Sequence, residues 1–159
     1  MSVAARLAEL GLTLPTPPSP AAAYQPWSVA GDLVLTAGQL PTVDGALPAT
    51  GRCGAGVSTE QAADLARQAA INVLAVAREA AGGSDADLDR VRVVKLTVFV
   101  ASAPDFTEQH LVANGASTLV ADVLGDAGTH ARSAVGVASL PLDSPVEVEA
   151  ILQLGPARD

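Results

Sequence analysis

Alternation of apolar and polar positions is clearest in residues 131–153, where it predicts two β-strands joined by a proline-containing turn. Successive strand side chains point to opposite faces of a sheet. In the second strand, one face is therefore apolar and the other carries Glu147 and Glu149. In the first strand, the face that carries Arg132 continues with small residues, which are Ala134, Gly136 and Ala138. The pattern thus predicts a guanidinium with open space beside it.

An arginine beside such a space is suited to bind a carboxylate, because its planar guanidinium can contact both oxygens at once. The same pattern is also typical of an arginine on a solvated strand that only balances the charge of Glu147 or Glu149. Taken alone, the two strands favour this second interpretation.

Apolar positions at helical spacing predict two long helices. One runs from Ser58 to about Ala81 and the other from Asp105 to about Gly125, and each is expected to open with a capping box. A shorter amphipathic helix is predicted over residues 1–10.

Two further strands are predicted over residues 32–37 and 91–100, the second of which is rich in β-branched residues. Prolines concentrated at the start of residues 15–26 predict an extended arm there. Residues 41–57 are rich in glycine and proline and predict a long hairpin-like excursion.

The order of these elements predicts an α+β fold, a mixed sheet with two helices packed on one face. It is expected to be one domain over residues 1–159, in which residues 1–20 hold the N-terminal helix and the proline-rich arm. In the long strand, Lys95, Thr97 and Phe99 are expected on one face, and the opposite face is expected to hold Val94, Leu96, Val98 and Val100.

The sheet face without helices is expected to be an association surface, because hydrophobic residues make up 49% of the chain and charged residues 16%. The sequence therefore predicts a homo-oligomer in which sheets pack against each other.

The net charge of −8 and the scattered basic residues argue against nucleic-acid binding, which usually needs a basic patch. No apolar run approaches the ~18–20 residues that a membrane span requires, so no membrane association is expected. Arg6 and Glu9 interrupt the N-terminal apolar pattern, which is unlike a signal peptide and favours a cytoplasmic location.

No metal site and no cofactor are expected. The single cysteine, Cys53, excludes an internal disulfide and a cysteine-based zinc cluster, and it is expected to be a loop thiol. His110 and His130 have no metal-binding motif around them, so a helix-surface residue and a residue leading into a strand are the simpler interpretations.

Asn114 and Gly115 lie together inside the second predicted helix, and both are poor helix formers. The pair indicates either a kink or a polar group that faces a site. A frayed surface turn is the alternative.

Separated motifs along the chain resemble, in the same order, those of the YjgF/RidA reactive-intermediate deaminase family, whose members are often labelled endoribonuclease L-PSP. The resemblance covers about residues 20–153, and the N-terminal helix indicates a divergent branch. The motifs are YQP at 24–26, TAGQLP at 36–41, KLTVFV at 95–100 with DF at 105–106, ARSAV at 131–135, LP at 140–141 and VEVEA at 146–150.

The resemblance implies a chorismate mutase-like fold and a homotrimer with clefts between subunits. It also implies the hydrolysis of reactive 2-enamines or 2-imines to 2-keto acids and ammonia, so the expected small-molecule partner is a 2-imino or 2-keto acid. By position in the motifs, Arg132 would hold the substrate carboxylate and Glu147 would orient or activate water. Tyr24 and Asn114 would line the cleft, and Gly38 would offer backbone contacts.

Two site positions differ from the family pattern, since Ala37 stands where the family has a serine and Ala134 where it has a cysteine. The first change removes a hydroxyl and the second enlarges the pocket. Imine hydrolysis needs only modest help from positioning and electrostatics, so activity can survive both changes with a different substrate preference. Two alternatives remain: a trimeric protein that binds small carboxylates without catalysis, and a ribonuclease, which the acidic charge opposes.

Overall fold

A five-stranded mixed sheet and two long helices form most of the structure, a computed structural model that describes residues 1–17 and 23–156. Residues 18–22 of the predicted arm lie outside the described residues. The helices are α1 (Val3–Glu9), α2 (Thr59–Ala81) and α3 (Gln109–Leu124). The strands are β1 (Trp27–Ala30), β2 (Leu33–Thr36), β3 (Arg52–Cys53), β4 (Gly56–Val57), β5 (Val91–Ala101), β6 (Ala131–Val137) and β7 (Val146–Leu154).

The strand order in the sheet is β1-β2-β7-β5-β6, and β3 with β4 forms a small separate pair. Strands β5 and β6 run parallel because α3 connects them, and the other neighbours in the sheet run antiparallel. The two strands predicted at the C-terminus are confirmed as β6 and β7. They are not neighbours, since β5 lies between them.

Helices α2 and α3 pack against each other and against one face of the sheet. That face is formed by residues such as Leu96, Val98 and Val148, which are fully buried, whereas Lys95 and Phe99 on the opposite face are partly exposed. The predicted alternation of the long strand is therefore confirmed, and so are an α+β fold and a mixed sheet with helices.

Val94 is the exception to that alternation. The register of β5 against β7 shifts between Val93 and Lys95, so Val94 is an extra residue in a β-bulge. Its side chain is 40% exposed, and its predicted place beside Leu96 on the buried face is wrong.

The predicted start of α2 with Ser58 as N-cap is confirmed, and the predicted start of α3 at Asp105 is wrong. Oγ of Ser58 accepts a hydrogen bond from the backbone N–H of Gln61, which caps α2. Helix α3 begins at Gln109, and its N-terminus has no side-chain cap. The carboxylate of Glu108 instead accepts a hydrogen bond from the Thr59 hydroxyl at the start of α2.

Asn114 and Gly115 lie within a continuous α3, so neither the kink nor the frayed turn is present. A Cβ at position 115 would overlap the backbone carbonyl of Ala63 in α2. The absence of a side chain at Gly115 therefore lets the two long helices approach closely at this point.

The sequence pattern missed β1, which follows the predicted arm directly and pairs with β2. No helix within residues 1–17 and 23–156 is long and apolar enough to cross a membrane.

Candidate functional site

Arg132 lies on β6, at one edge of the sheet, and its side chain extends to α3. Its Nη1 donates to Oδ1 of Asn114 at 3.0 Å and to Oγ of Ser117 at 3.1 Å. Its Nη2 donates to the carbonyl oxygen of His110 at 3.2 Å. The three acceptors follow one stripe of α3, because residues four and then three positions apart lie on the same helix face.

The three acceptors around Arg132 are neutral. The ion pairs of Arg78 with Glu79 and Asp85 do not involve Arg132, and among the described residues none joins Arg132 to Glu147 or Glu149. The interpretation that Arg132 balances Glu147 or Glu149 is therefore wrong within one chain. A guanidinium has five N–H donors. Three are used here, so two donors and an uncompensated positive charge remain for a ligand.

An open depression of about 400 Å³ lies beside this guanidinium. Its lining consists of polar and small residues from α3 and from the segment that leads into β6: Ser117, Thr118, Ala121, Gly128, Thr129, His130 and Arg132. Ala134, next on the same face of β6, is partly buried against the core.

Glu147 lies on β7, on the sheet face that carries no helix. A Cβ at position 38 would overlap Oε1 of Glu147, so Gly38 provides the space that this carboxyl group occupies. The segment that holds Gly38 is fixed to β7, because the backbones of Gln39 and Val148 exchange hydrogen bonds of 2.8 and 3.0 Å.

Burial raises the pKa of the Glu147 carboxyl above its ordinary value, and repulsion from the Glu149 carboxylate contributes a smaller part in the same direction. A carboxyl group with a raised pKa can hold and release a proton nearer to neutral pH. The local structure thus gives Glu147 the property that acid–base chemistry requires.

Tyr24 belongs to the segment that leads into β1, and its side chain is 56% exposed. The carbonyl oxygen of Pro26 accepts a hydrogen bond of 2.8 Å from the backbone N–H of Ala37, next to Gly38. This bond brings the segment of Tyr24 to the same end of the sheet as Gly38.

The structure brings Arg132 together with Asn114, and Glu147 together with Gly38, but it does not bring the two pairs together. Arg132 shares the buried face of Leu96, its partner on β5, whereas Glu147 shares the opposite face with Phe99. Because β5 lies between their strands, they are about 9.5 Å apart across the sheet. Their partners on β5, Leu96 and Phe99, are three residues apart. This adds a separation of about 10 Å along the strand direction.

Neither Ser117 nor His130 was predicted to take part in this site. His130 Nε2 lies 2.9 Å from Oγ of Ser117, which accepts from Arg132. A sequence signal existed for each residue. Ser117 lies one helical turn after Asn114, and His130 lies two residues before Arg132 and so precedes it on the same face of a strand.

Cys53 contributes no chemistry to the site. It is fully buried in β3 rather than lying in an open loop, and this burial raises the pKa of its thiol to about 11. A thiol with that pKa is almost entirely protonated near neutral pH and is a poor nucleophile.

The fold and the polar groups define a small α+β protein with an arginine that keeps free N–H donors on one side of the sheet and a half-buried carboxyl group on the other. The family described as Endoribonuclease L-PSP matches residues 15–153. The chain therefore belongs to this family, which is the YjgF/RidA family.

Three relatives illustrate the similarity. The chain is 46% identical to the protein TCP17 of Trypanosoma cruzi over 96% of this chain and 94% of that protein. It is 39% identical to a 2-iminobutanoate/2-iminopropanoate deaminase of Salmonella typhimurium over 76% of this chain and 79% of the deaminase. A crystal structure of a protein with unknown function from Agrobacterium tumefaciens superimposes with a TM-score of 0.87 at 46% identity, covering 96% of this chain and 92% of that chain.

Proposed function

We propose that this protein hydrolyses reactive 2-imino acids, and the 2-enamino acids that tautomerise to them, to 2-keto acids and ammonia. The proposed site is a cleft between two subunits of a homotrimer, with Arg132 from one subunit and Glu147 from its neighbour. The imine deaminase among the relatives supports the reaction class.

One observation carries this proposal: a single chain holds the two charged groups on opposite faces of its sheet. Each group alone has the properties that the reaction needs, since Arg132 keeps two unpartnered donors and Glu147 has a raised pKa. Two such half-sites can act on one small molecule only when the face of one subunit meets the edge of another.

In the proposed reaction, Arg132 binds the substrate carboxylate and so fixes the position of the imine carbon. Glu147 accepts a proton from water as the water oxygen bonds to that carbon. Glu147 then gives the proton to the nitrogen, which forms a carbinolamine. In a second transfer Glu147 accepts the carbinolamine hydroxyl proton and passes it to the nitrogen, so the carbon–nitrogen bond breaks, ammonia leaves and the carbon becomes a ketone. Oδ1 of Asn114 already accepts from Arg132, and in this scheme the amide Nδ2 of Asn114 donates to the same carboxylate.

Ala37 and Ala134 leave this scheme intact, because neither position supplies the carboxylate contact or the proton transfer. Their small side chains make the cleft wider than one lined by serine and cysteine. We therefore expect tolerance of imino acids with larger side chains.

Subunit mixing tests the proposal most directly. Arg132→Ala and Glu147→Gln proteins should each fail to hydrolyse imines that an amino-acid oxidase generates in the assay. When the two chains are co-expressed, about a quarter of the clefts combine an intact Arg132 with an intact Glu147, so about a quarter of the wild-type activity should return.

Arg67→Ala is the matched control, since Arg67 is an exposed arginine on α2, away from the helix-free sheet face, and its loss should leave activity unchanged. No recovery in the mixed protein, together with inactive single variants, would place both groups in one chain and contradict the shared cleft. Full activity of either single variant would contradict the proposed chemistry.

A further inference from the structure

A chain of hydrogen bonds continues behind Arg132 through two residues that no step of the proposed reaction uses. Nη1 of Arg132 donates to Oγ of Ser117 at 3.1 Å, and the same Oγ lies 2.9 Å from Nε2 of His130. Nδ1 of His130 lies 2.6 Å from the carbonyl oxygen of Gly128. The four groups form one continuous line from the edge of the depression to the loop before β6.

The direction of each bond follows from the donors and acceptors present. A carbonyl oxygen only accepts, so Nδ1 of His130 carries the proton in its contact with Gly128. In the neutral ring, Nε2 is then an acceptor, and the Ser117 hydroxyl must donate to it. Because the hydroxyl proton is used in this way, the Ser117 oxygen faces Arg132 as an acceptor only.

We propose that Ser117 and His130 are positioning residues for Arg132, which together hold its guanidinium in the orientation that receives a carboxylate. Ser117 and Asn114 occupy both N–H groups of Nη1, so the donors left for a ligand are Nε and one N–H of Nη2. Loss of the Ser117 hydroxyl frees a third donor and lets the group turn. The nature of the ligand rests on the function proposed above. The relay, which is the chain of hydrogen bonds from Arg132 through Ser117 and His130 to Gly128, is a property of the ligand-free protein.

His130 acts on Arg132 only through Ser117 in this arrangement. Its two ring nitrogens contact Ser117 and Gly128, and neither contacts the guanidinium. The effects of removing Ser117 and His130 should therefore not add, since residues in one hydrogen-bond chain are energetically coupled.

The first test uses the ligand-free protein with isotope-labelled arginine. Nuclear magnetic resonance should resolve separate Nη1 and Nη2 proton signals for Arg132 in the wild type, and Ser117→Ala should average them by allowing rotation. Thr118→Ala is the control, because Thr118 is an exposed neighbour that lines the same depression without a hydrogen bond to Arg132. Averaged signals in the wild type, or separate signals in Ser117→Ala, would overturn the proposal.

The second test measures pyruvate affinity by calorimetry. Ser117→Ala should weaken binding about tenfold, as expected for the loss of a hydrogen bond to a charged group. Ser117→Thr keeps the hydroxyl and should bind like the wild type. His130→Ala should have a smaller effect, and the double variant should be no weaker than Ser117→Ala alone.

Additive losses in the double variant would overturn the role assigned to His130. A wild-type protein that binds no pyruvate would count against the proposed function, and the guanidinium signals would still decide whether the relay exists. Equal melting temperatures of wild type and variants would show that the losses are not due to unfolding.

Discussion

The carboxyl group of Glu147 occupies space that exists only because residue 38 has no side chain. The same crowding removes part of the water around the carboxylate, and Glu149 lies two residues further along the same face of β7. Both effects disfavour the charged form. A carboxyl group with a raised pKa is suited to proton transfer, and its ionisation lowers the free energy of unfolding.

We predict that Glu147→Gln raises the melting temperature at pH 7 and abolishes imine hydrolysis. The pKa of Glu147 is raised in the folded state, so with rising pH the unfolded state loses its proton first. Stability from this group is therefore lost as the pH rises through the folded pKa. The stabilisation by Gln should be a few degrees at pH 7 and should vanish below about pH 4, where the carboxyl is protonated in both states.

Thermal unfolding of both proteins from acidic to neutral pH measures this difference. A melting difference that does not change with pH would mean that packing, rather than ionisation, separates the two side chains.

Strand alternation and small neighbours are local patterns, and they predicted open space beside the Arg132 guanidinium; the carboxylate-binding role came from the family resemblance and stays a prediction. The sequence could not predict how the side chain is held. The supports at His110, Asn114 and Ser117 matter only because α3 packs beside β6. Likewise, the resemblance assigned backbone contacts to Gly38, a role that stays a prediction. The space it gives Glu147 appears only once the segment of Gly38 is paired with β7.

At the scale of elements, α3 connects the core to the site. One of its faces packs on α2, and another carries the acceptors of Arg132. The close approach at Gly115 sets the distance between α2 and α3. The position of the Arg132 supports therefore depends on helix packing.

We predict that Gly115→Ala destabilises the fold. Alanine favours a helix over glycine by about 1 kcal/mol, but its Cβ would overlap the carbonyl of Ala63 and force the helices apart. Overpacking of this kind costs ~1–3 kcal/mol, and backbone contact places this site at the upper end. Urea unfolding should show a net loss, whereas Thr118→Ala on the exposed side of the same helix should change stability by less than about 0.5 kcal/mol. A more stable Gly115→Ala protein would contradict this account of the helix contact.

Elements with local signals were predicted well, and those that depend on distant partners were not. The Ser58 cap lies within four residues of sequence, and the structure has it as predicted. The cap expected at Asp105 is absent, because Glu108 bonds to Thr59 of another helix. The bulge at Val94 and the short strand β1 depend on pairing with β7 and β2, which periodicity within one segment does not encode.

At the scale of the whole molecule, charge decides which partners are favourable. The chain has 17 acidic and 9 basic side chains, which give a net charge of −8. We predict that it neither binds nor cleaves single-stranded RNA at physiological salt, because phosphates would meet a repulsive field. Fluorescence anisotropy with a labelled RNA oligomer measures binding. Affinity that falls steeply with added salt, or cleavage that Arg132→Ala abolishes, would contradict the prediction.

The sheet face without helices gives the last prediction, which concerns assembly. Leu35 and Val135 on this face are 41% and 40% exposed, and Phe99 and Ile151 beside them are partly exposed. Exposed apolar side chains on a sheet face favour contact with another protein surface over water. Since the proposed cleft needs both this face and the β6 edge, assembly and activity should be lost together.

We predict that light scattering at low micromolar concentration gives three times the 15.9 kDa mass of the chain. Val135→Asp should reduce this mass to that of a monomer and abolish imine hydrolysis, because a charge cannot be buried in an apolar contact without a partner. Val29→Asp is the control, since Val29 is 59% exposed but pairs with Val34 of the buried face and so points away from the predicted contact. A monomeric wild type, or a Val135→Asp protein that stays trimeric and active, would show that this face does not hold the subunits together.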